Sequence, residues 1–257
     1  MIGLFDSGVG GLSVLKALIN SGISDDFVYF GDTKNVPYGT KTKEEILSFT
    51  KDIMEFFIKK GVDCAIMACN TSSALVYEDL RAQFSDRIKI YPLIQYAAPY
   101  FKDETQTIGV MATNATVKSL AYTKEIGKIN PKINIVELEC QKFVEIVEKR
   151  LYNDPQSLKY IEDKIEYFKK TDCKKIILGC THFPYLVPIF KRFAPEIEFI
   201  DPAKLLIKSI QDELNKSQNK KNTFEFYVSH NPENFKQSGS MFFDINQTPK
   251  LIEFVKV

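Results

Sequence analysis

Two of the five cysteines, Cys69 and Cys180, occupy positions where a thiol could take part in proton transfer or covalent chemistry. Each directly follows a short apolar run and precedes a polar residue, in the segments Ala-Cys-Asn-Thr at 68–71 and Gly-Cys-Thr-His at 179–182. This pattern predicts that both thiols lie where a strand ends and a helix begins. A helix N-terminus lowers the pKa of a thiol and increases its thiolate fraction. We therefore expect Cys69 and Cys180 to be the reactive pair.

The other three cysteines have less distinctive surroundings. Cys64 and Cys173 lie where strands are expected to begin, and Cys140 leads into a predicted helix. No two cysteines have the Cys-x-x-Cys spacing of zinc or redox motifs. We expect these three to be buried free thiols.

Further polar residues stand at the ends of other apolar runs, namely Asp6 and Ser7, Asp32, and Thr113. Ligands of open parallel sheets bind beyond the carboxyl ends of the strands, so these residues are expected to share one site with the two cysteines. The glycine-rich loop at 8–11 could present backbone N–H groups to a small carboxylate or phosphate. It lacks the third glycine of a dinucleotide fingerprint and the lysine of a Walker loop.

Two titratable residues have positions that suggest a function. His182, one of two histidines, is two residues from Cys180. Glu148 falls on the apolar stripe of its predicted helix, with Val144, Val147 and Leu151 as neighbours, so its carboxylate is expected to be buried and to have a partner.

The elements that position these residues alternate between strands and helices, which predicts βαβ units and a mainly parallel sheet. Strands are expected at 2–5, 27–30, 64–68, 88–92, 108–111, 133–138, 176–178 and 197–200. Helices are expected at 12–21, 42–60, 73–84, 116–129, 141–152 and 155–171. The segments at 2–7 and 108–113 resemble each other, and each is followed by a strand that ends in a cysteine. This faint repeat predicts two similar α/β halves, each presenting one cysteine.

Composition excludes several classes of protein. The 257 residues carry a formal net charge of +1, which argues against a surface built for nucleic acid or an anionic membrane. No apolar run approaches the roughly 18 residues of a membrane span. The first residues include no positively charged region and soon reach Asp6, so we expect no signal peptide and a cytoplasmic location.

The motifs together resemble those of the glutamate racemases in the aspartate/glutamate racemase family. The matching segments are 5–12 (Phe-Asp-Ser-Gly-Val-Gly-Gly-Leu), 36–39 (Val-Pro-Tyr-Gly), 68–72 (Ala-Cys-Asn-Thr-Ser) and 178–184 (Leu-Gly-Cys-Thr-His-Phe-Pro). The resemblance extends over about residues 2–205. It is weaker at 229–232 (Ser-His-Asn-Pro), where a turn containing Gly and Asp is typical, and it assigns no role to His230.

The resemblance implies a fold and an activity. The expected fold is α/β, with two similar three-layer lobes built on mainly parallel sheets and the active site in the cleft between them. The first lobe would comprise residues 1–93 and 207–257 and carry Cys69, and the second would comprise 94–206 and carry Cys180. The expected activity is cofactor-independent interconversion of L- and D-glutamate, supplying D-glutamate for peptidoglycan, in a cytoplasmic homodimer that needs no metal.

The resemblance also implies roles for individual residues. Cys69 and Cys180 would be catalytic. The implied auxiliary acid/base groups are Asp6, Asp32, Glu148 and His182. The implied substrate contacts are Asp6, Ser7, Pro37, Tyr38, Gly39, Asn70, Thr71, Thr113, Thr116, Thr181 and His182.

Racemisation requires one group to remove the α-proton from one face and another to return a proton to the opposite face. An unperturbed thiol pKa of about 8.5 suits both tasks after a modest shift. By the resemblance, Cys69 would deprotonate D-glutamate and Cys180 would deprotonate L-glutamate. Hydrogen bonds from Asn70, Thr71 and Thr181 to the substrate carboxylate would stabilise the developing carbanion.

Four alternatives remain open at this point. Aspartate racemase is the nearest, although its second cysteine motif typically carries Glu where this chain has His182. A cysteine hydrolase or transferase would use Cys180 and His182, but residues two apart are not expected to align, and Cys69 would have no role. A two-lobed protein that binds small anions would need neither thiol. A zinc site would combine Cys69, Cys180 and His182.

Overall fold

The computed structural model describes residues 1–214 and 221–254. The strands are β1 Ile2–Asp6, β2 Asp26–Gly31, β3 Cys64–Met67, β4 Lys89–Pro92, β5 Ile108–Ala112, β6 Ile135–Glu139, β7 Lys175–Gly179, β8 Glu198–Ile200, β9 Thr223–Val228 and β10 Lys250–Leu251. The helices are α1 Leu12–Asn20, α2 Lys43–Lys59, α3 Asn70–Phe84, α4 Leu93–Ala97, α5 Asn114–Ser119, α6 Ala121–Ile129, α7 Lys142–Glu148, α8 Pro155–Lys170, α9 Val187–Phe193, α10 Pro202–Leu214 and α11 Pro232–Gly239.

The strands form two sheets that share one order. The first sheet runs β10-β9-β2-β1-β3-β4 and the second runs β6-β5-β7-β8, and every pairing is parallel. The segment β2-β1-β3-β4 of the first sheet corresponds to the whole of the second. The predicted α/β class, parallel sheets and two similar halves are confirmed.

Apolar side chains cover both faces of each sheet. In β1, for example, Leu4 packs into one core cluster and Phe5 into another on the opposite face. Burial on both faces explains why the strands read as continuous apolar runs. One core cluster extends across the two halves, so they are packed against each other.

Local signals fix several helix ends. Thr42 and Glu45 form a reciprocal capping box at the start of α2, and Asp154 caps α8 ahead of Pro155. The expected helix at 116–129 is instead two helices, α5 and α6, because Leu120 between them adopts a left-handed conformation with φ of 54°. The expected helix at 141–152 ends at Glu148, just before Arg150 with φ of 55°.

Six elements lie outside the predicted set, namely the strands β9 and β10 and the helices α4, α9, α10 and α11. Strand β9 pairs with β2 along its whole length, so the chain returns to the first sheet after completing the second. The proposed lobe boundaries at 93/94 and 206/207 stay a prediction, and part of the first lobe, 215–220 and 255–257, lies outside the described residues. No helix in the described ranges is long and apolar enough to cross a membrane.

Candidate active site

Each sheet has a point where strand order reverses, and one of the two cysteines predicted to be reactive lies beside each point. In the first sheet β1 is flanked by β2 and β3, so the loops after β1 and β3 leave in opposite directions and open a crevice. Asp6 ends β1 and Cys69 follows β3. In the second sheet Thr113 follows β5, and Cys180 follows β7. Two equivalent crevices therefore present one cysteine each.

The two crevices face one narrow cavity, lined by most of the predicted site residues. The end of β1 contributes Asp6, and the loops after β1 and β2 contribute Ser7, Pro37, Tyr38 and Gly39. The segment after β3 contributes Cys69, Asn70 and Thr71. The second half contributes Thr113, Cys180, Thr181 and His182.

Three predicted residues lie behind this lining, and three unpredicted ones complete it. Asp32, Thr116 and Glu148 contact lining residues without lining the cavity themselves. Val36, Gln141 and Val144 line the cavity but are not among the site residues predicted from the sequence. The sequence offers a weak signal for two of them, since Val36 belongs to the matched segment 36–39 and Gln141 follows the end of a predicted strand.

Cys69 lies in a buried and electronegative environment. It is 5% exposed and stands at the N-cap of α3. Burial, and after it the negative charge of Asp6, raises the pKa of the Cys69 thiol well above its usual range, although the backbone N–H of Ser72 acts in the opposite direction. The expectation that the helix N-terminus lowers this pKa is therefore wrong, because desolvation and a neighbouring carboxylate outweigh the helix.

The carboxylate of Asp6 is held by the glycine-rich loop. Its Oδ2 accepts hydrogen bonds from the backbone N–H groups of Gly8 at 3.1 Å and Gly11 at 3.0 Å. Burial raises the pKa of Asp6, while the charge of His182 and these N–H groups lower it. The loop does bind a carboxylate through backbone N–H groups, as its glycines suggest. At Gly8 and Gly11, however, this carboxylate is the side chain of Asp6 and not a ligand.

Gly10 allows this loop to approach the second half closely. A Cβ atom at Gly10 would lie 2.4 Å from Thr181 Oγ1 and 2.6 Å from the His182 ring. Nearby, Ser13 Oγ donates a hydrogen bond to the Thr181 carbonyl at 3.2 Å. Glycine at this position therefore brings the Asp6 and Cys180 loops together.

Cys180 lies at the end of a thiol–imidazole–carboxylate chain. The Cys180 Sγ is 3.7 Å from His182 Nδ1, and His182 Nε2 is 3.1 Å from Glu148 Oε1. Burial would lower the pKa of His182, but hydrogen bonds and charge from Cys180 and Glu148 outweigh it and raise that pKa to about 10. An imidazolium beside Cys180 would stabilise its thiolate.

Two expectations about this chain of groups are wrong. Glu148 is not buried, because α7 ends at this residue and 39% of its side chain is exposed, although its carboxylate does have the expected partner. Residues two apart do align, since Cys180 and His182 reach hydrogen-bond distance across the turn that follows β7. The geometry of this pair therefore does not argue against a cysteine hydrolase.

Hydrogen bonds from the N-terminus of α3 join the two halves beside Cys69. Tyr122 Oη donates to Asn70 Oδ1 at 2.6 Å. Thr71 Oγ1 and Thr113 Oγ1 are 2.9 Å apart, and Thr113 Oγ1 and Thr116 Oγ1 are 3.0 Å apart. Thr116 thus supports the lining from behind.

The Asp32 carboxylate holds the wall that contains Tyr38. It accepts hydrogen bonds from Tyr38 Oη and Ser229 Oγ, both at 2.6 Å, and from Asn35 Nδ2 at 3.0 Å. Burial, and then the charge of Asp32, raises the pKa of Tyr38 well above its usual range. Asp32 therefore anchors Tyr38, which does line the cavity, and ties it to the segment after β9.

Within residues 1–214 and 221–254, no group of three or more His, Cys, Asp or Glu side chains is arranged to hold a metal ion. The combination of Cys69, Cys180 and His182 considered from the sequence is thus not such a group.

Comparison with known proteins assigns the chain to one family. The family model for Asp/Glu/Hydantoin racemase matches residues 12–210, and the chain belongs to that family. Glutamate racemase 2 of Caldanaerobacter subterraneus subsp. tengcongensis is 38% identical over 247 residues, which cover 93% of this chain and 92% of that protein.

Solved structures agree with this assignment. Glutamate racemase from Francisella tularensis, determined in complex with D-glutamate, superposes with a TM-score of 0.89 at 30% identity, over 98% of this chain and 97% of that one. Picrophilus torridus aspartate racemase superposes with a TM-score of 0.56 at 21% identity, over 84% of this chain and 99% of that one. The second likeness shows the shared fold alone.

Proposed function

We propose that the chain is a glutamate racemase that uses no cofactor and transfers protons through Cys69 and Cys180. The observation that carries the proposal is that both thiols line one cavity, each beside the crevice of its own sheet. Two equivalent crevices that face each other are suited to approaching one α-carbon from opposite sides. The relatives that match over almost the whole chain are named glutamate racemases.

The reaction needs one cysteine as thiolate and the other as thiol. The thiolate takes the α-proton, and the electron pair of the broken C–H bond is left on the α-carbon and its carboxylate. The opposite thiol then donates its proton to the other face of the same carbon. The two sulfur atoms end with exchanged protonation states, so the reverse reaction uses them in exchanged roles. We assign the deprotonation of D-glutamate to Cys69 and that of L-glutamate to Cys180.

The negative charge that develops on the substrate carboxylate needs fixed hydrogen-bond donors. Asn70, Thr71 and Thr181 line the cavity directly beside the two thiols and supply such donors. Ser7, Thr113 and the Pro37-Tyr38-Gly39 wall bound the rest of the cavity and are assigned to substrate binding.

The auxiliary groups divide between the two thiols. Asp6 is assigned to Cys69, because its charge acts on that thiol. His182 is assigned to Cys180, with Glu148 orienting its imidazole through Nε2. Asp32 and Thr116 are assigned to positioning the lining, because their hydrogen-bond partners are Tyr38 and Thr113.

The test is exchange of the α-proton in D2O, followed by NMR, with L-glutamate, D-glutamate and both enantiomers of aspartate. The protein is assayed with a chelator and without added cofactor. We expect exchange and inversion of both glutamate enantiomers. Inversion of aspartate alone would assign the chain to aspartate racemase, and no exchange with any of the four would overturn the proposal.

The wider setting of the enzyme is also proposed. By the resemblance, we infer a cytoplasmic homodimer that supplies D-glutamate for peptidoglycan, with the lobe division given above. Light scattering on the eluting protein measures the oligomeric state, and a monomer across the working concentration range would contradict the dimer. Rescue of a strain lacking its own glutamate racemase on medium without D-glutamate tests the cellular role.

A further inference from the structure

Asn70 is a buried amide whose oxygen has a hydrogen-bond partner in the protein. Its side chain lines the cavity next to Cys69 and is 4% exposed overall. Oδ1 accepts the hydrogen bond from Tyr122 Oη at 2.6 Å. Within the described parts of the chain, Nδ2 donates to no protein group. An amide held by its oxygen in this way leaves its nitrogen as a donor for a bound ligand.

The partner that holds this oxygen belongs to the other half of the molecule. Tyr122 lies on α6, which packs in the second half, and its ring would be 3.1 Å from a Cβ atom at Gly179. It is 1% exposed, and burial raises the pKa of its hydroxyl well above the usual range, so it remains a donor at any working pH. Gly179 immediately precedes Cys180, so the same tyrosine contacts the strand that carries the second thiol.

We propose that Tyr122 is a positioning residue that fixes the amide of Asn70 so that Nδ2 donates to the substrate carboxylate beside Cys69. This inference rests on the proposed racemase function. Without the hydroxyl, the amide can rotate and turn Oδ1 toward the carboxylate, which replaces an attraction by a repulsion. Because the carboxylate gains negative charge as the α-proton leaves, the loss falls more on kcat than on KM.

The test is a double-mutant cycle of Tyr122→Phe and Asn70→Ala, with kcat and KM for D-glutamate measured by circular dichroism. Slow variants are followed by α-proton exchange in D2O. We expect Tyr122→Phe to lower kcat/KM about tenfold, as for loss of a hydrogen bond to a charged group. We expect the double variant to be no slower than Asn70→Ala alone, because Tyr122 acts only through Asn70. Effects that multiply, or no change in Tyr122→Phe, would overturn the proposal.

Tyr91→Phe is the matched control, since Tyr91 is also 1% exposed but, unlike Tyr122, makes no hydrogen bond within residues 1–214 and 221–254 to a residue that lines the cavity. It reports the cost of removing a buried tyrosine hydroxyl away from the site, and we expect unchanged kcat/KM. Activity of the wild-type protein tests the proposed function separately, because the cycle is read only relative to an active parent.

A second measurement needs no change at Tyr122. The side-chain NH2 resonances of Asn70 are assigned by their disappearance in Asn70→Ser, and D-glutamate is then added to the unaltered protein. We expect both resonances to shift on binding. Unshifted resonances at saturating D-glutamate would overturn the proposal whether or not the Tyr122 variant folds.

Discussion

The two thiols occupy equivalent places in two similar halves, yet their surroundings differ. Cys69 has a buried carboxylate as its neighbour, and burial together with Asp6 raises its pKa. Cys180 has an imidazole as its neighbour, which in turn contacts Glu148 at the exposed rim. A shared topology thus positions two similar groups, while the end of β1 and the loop after β7 give each a different electrostatic partner. In the proposed mechanism, the near-symmetric backbone would serve a near-symmetric reaction without making the two proton transfers identical.

The largest expected effect comes from removing either thiol. Cys69→Ala and Cys180→Ala should each lower racemisation by about 10³-fold or more, because each removes the group proposed to transfer the proton on one face of the substrate. Circular dichroism of glutamate solutions measures the rate. Cys173→Ala is the control, since Cys173 is buried before β7, away from the cavity. Near-normal activity in either active-site variant would contradict the assignment of one thiol to each face.

The next largest effect is expected from removing the imidazole of His182. His182→Gln should lower kcat/KM about 10²-fold, because the Cys180 thiolate loses the cation that stabilises it. The acid limb of the kcat profile for L-glutamate should move to higher pH, whereas the kcat limb for D-glutamate should move less. His230→Gln changes the only other histidine and should leave both profiles unchanged. Equal shifts of the kcat limb for the two enantiomers would show that His182 does not act preferentially on Cys180.

Asp6→Asn tests the Cys69 side of the site. The expected effect is smaller, a rate about tenfold lower than that of the parent. The charge of Asp6 raises the pKa of Cys69, so a neutral side chain should lower it. The acid limb of the kcat profile for D-glutamate should therefore move to lower pH. Asp154→Asn, at the remote N-cap of α8, is the control and should keep the parental profile. A limb that moves to higher pH would refute the electrostatic effect assigned to Asp6.

Glu148→Gln should have the smallest effect, about a few-fold, because the carboxylate is 39% exposed and solvent screens its charge. Glu148 and Cys180 together raise the pKa of His182 to about 10. Removing one of these contributions lowers that pKa, so activity at alkaline pH should decline from a lower pH than in the parent. Glu145→Gln, an exposed acid on the same helix, serves as the matched control. A basic limb that does not move would show that Glu148 does not act on His182 and Cys180.

Much of this arrangement can be predicted from short sequence patterns. Apolar runs that end in Asp6, Cys69, Thr113 and Cys180 indicate the strands and the sheet edge, because parallel strands are buried on both faces. The return of the chain to the first sheet is harder to predict. Strand β9 alternates Phe224, Phe226 and Val228 with other residues, but nothing in that pattern specifies β2 as its partner.

What the sequence leaves open are contacts between residues far apart in the chain. Tyr122 and Asn70 are 52 positions apart, and Asp32 and Ser229 are 197 apart, so no local pattern relates them. The pKa of Cys69 is another example. Its helix N-terminus is visible in the sequence, whereas the burial and the Asp6 charge that oppose it arise only on folding.

The central claim is that each thiol serves one face of the substrate, and single-enantiomer exchange in D2O tests it most directly. Cys69→Ser and Cys180→Ser are each incubated with pure D-glutamate or pure L-glutamate, and exchange at the α-carbon is followed separately from inversion. We predict that neither variant racemises at the parental rate, that Cys180→Ser exchanges D-glutamate in preference, and that Cys69→Ser exchanges L-glutamate in preference. Preference for the same enantiomer in both variants would contradict the account.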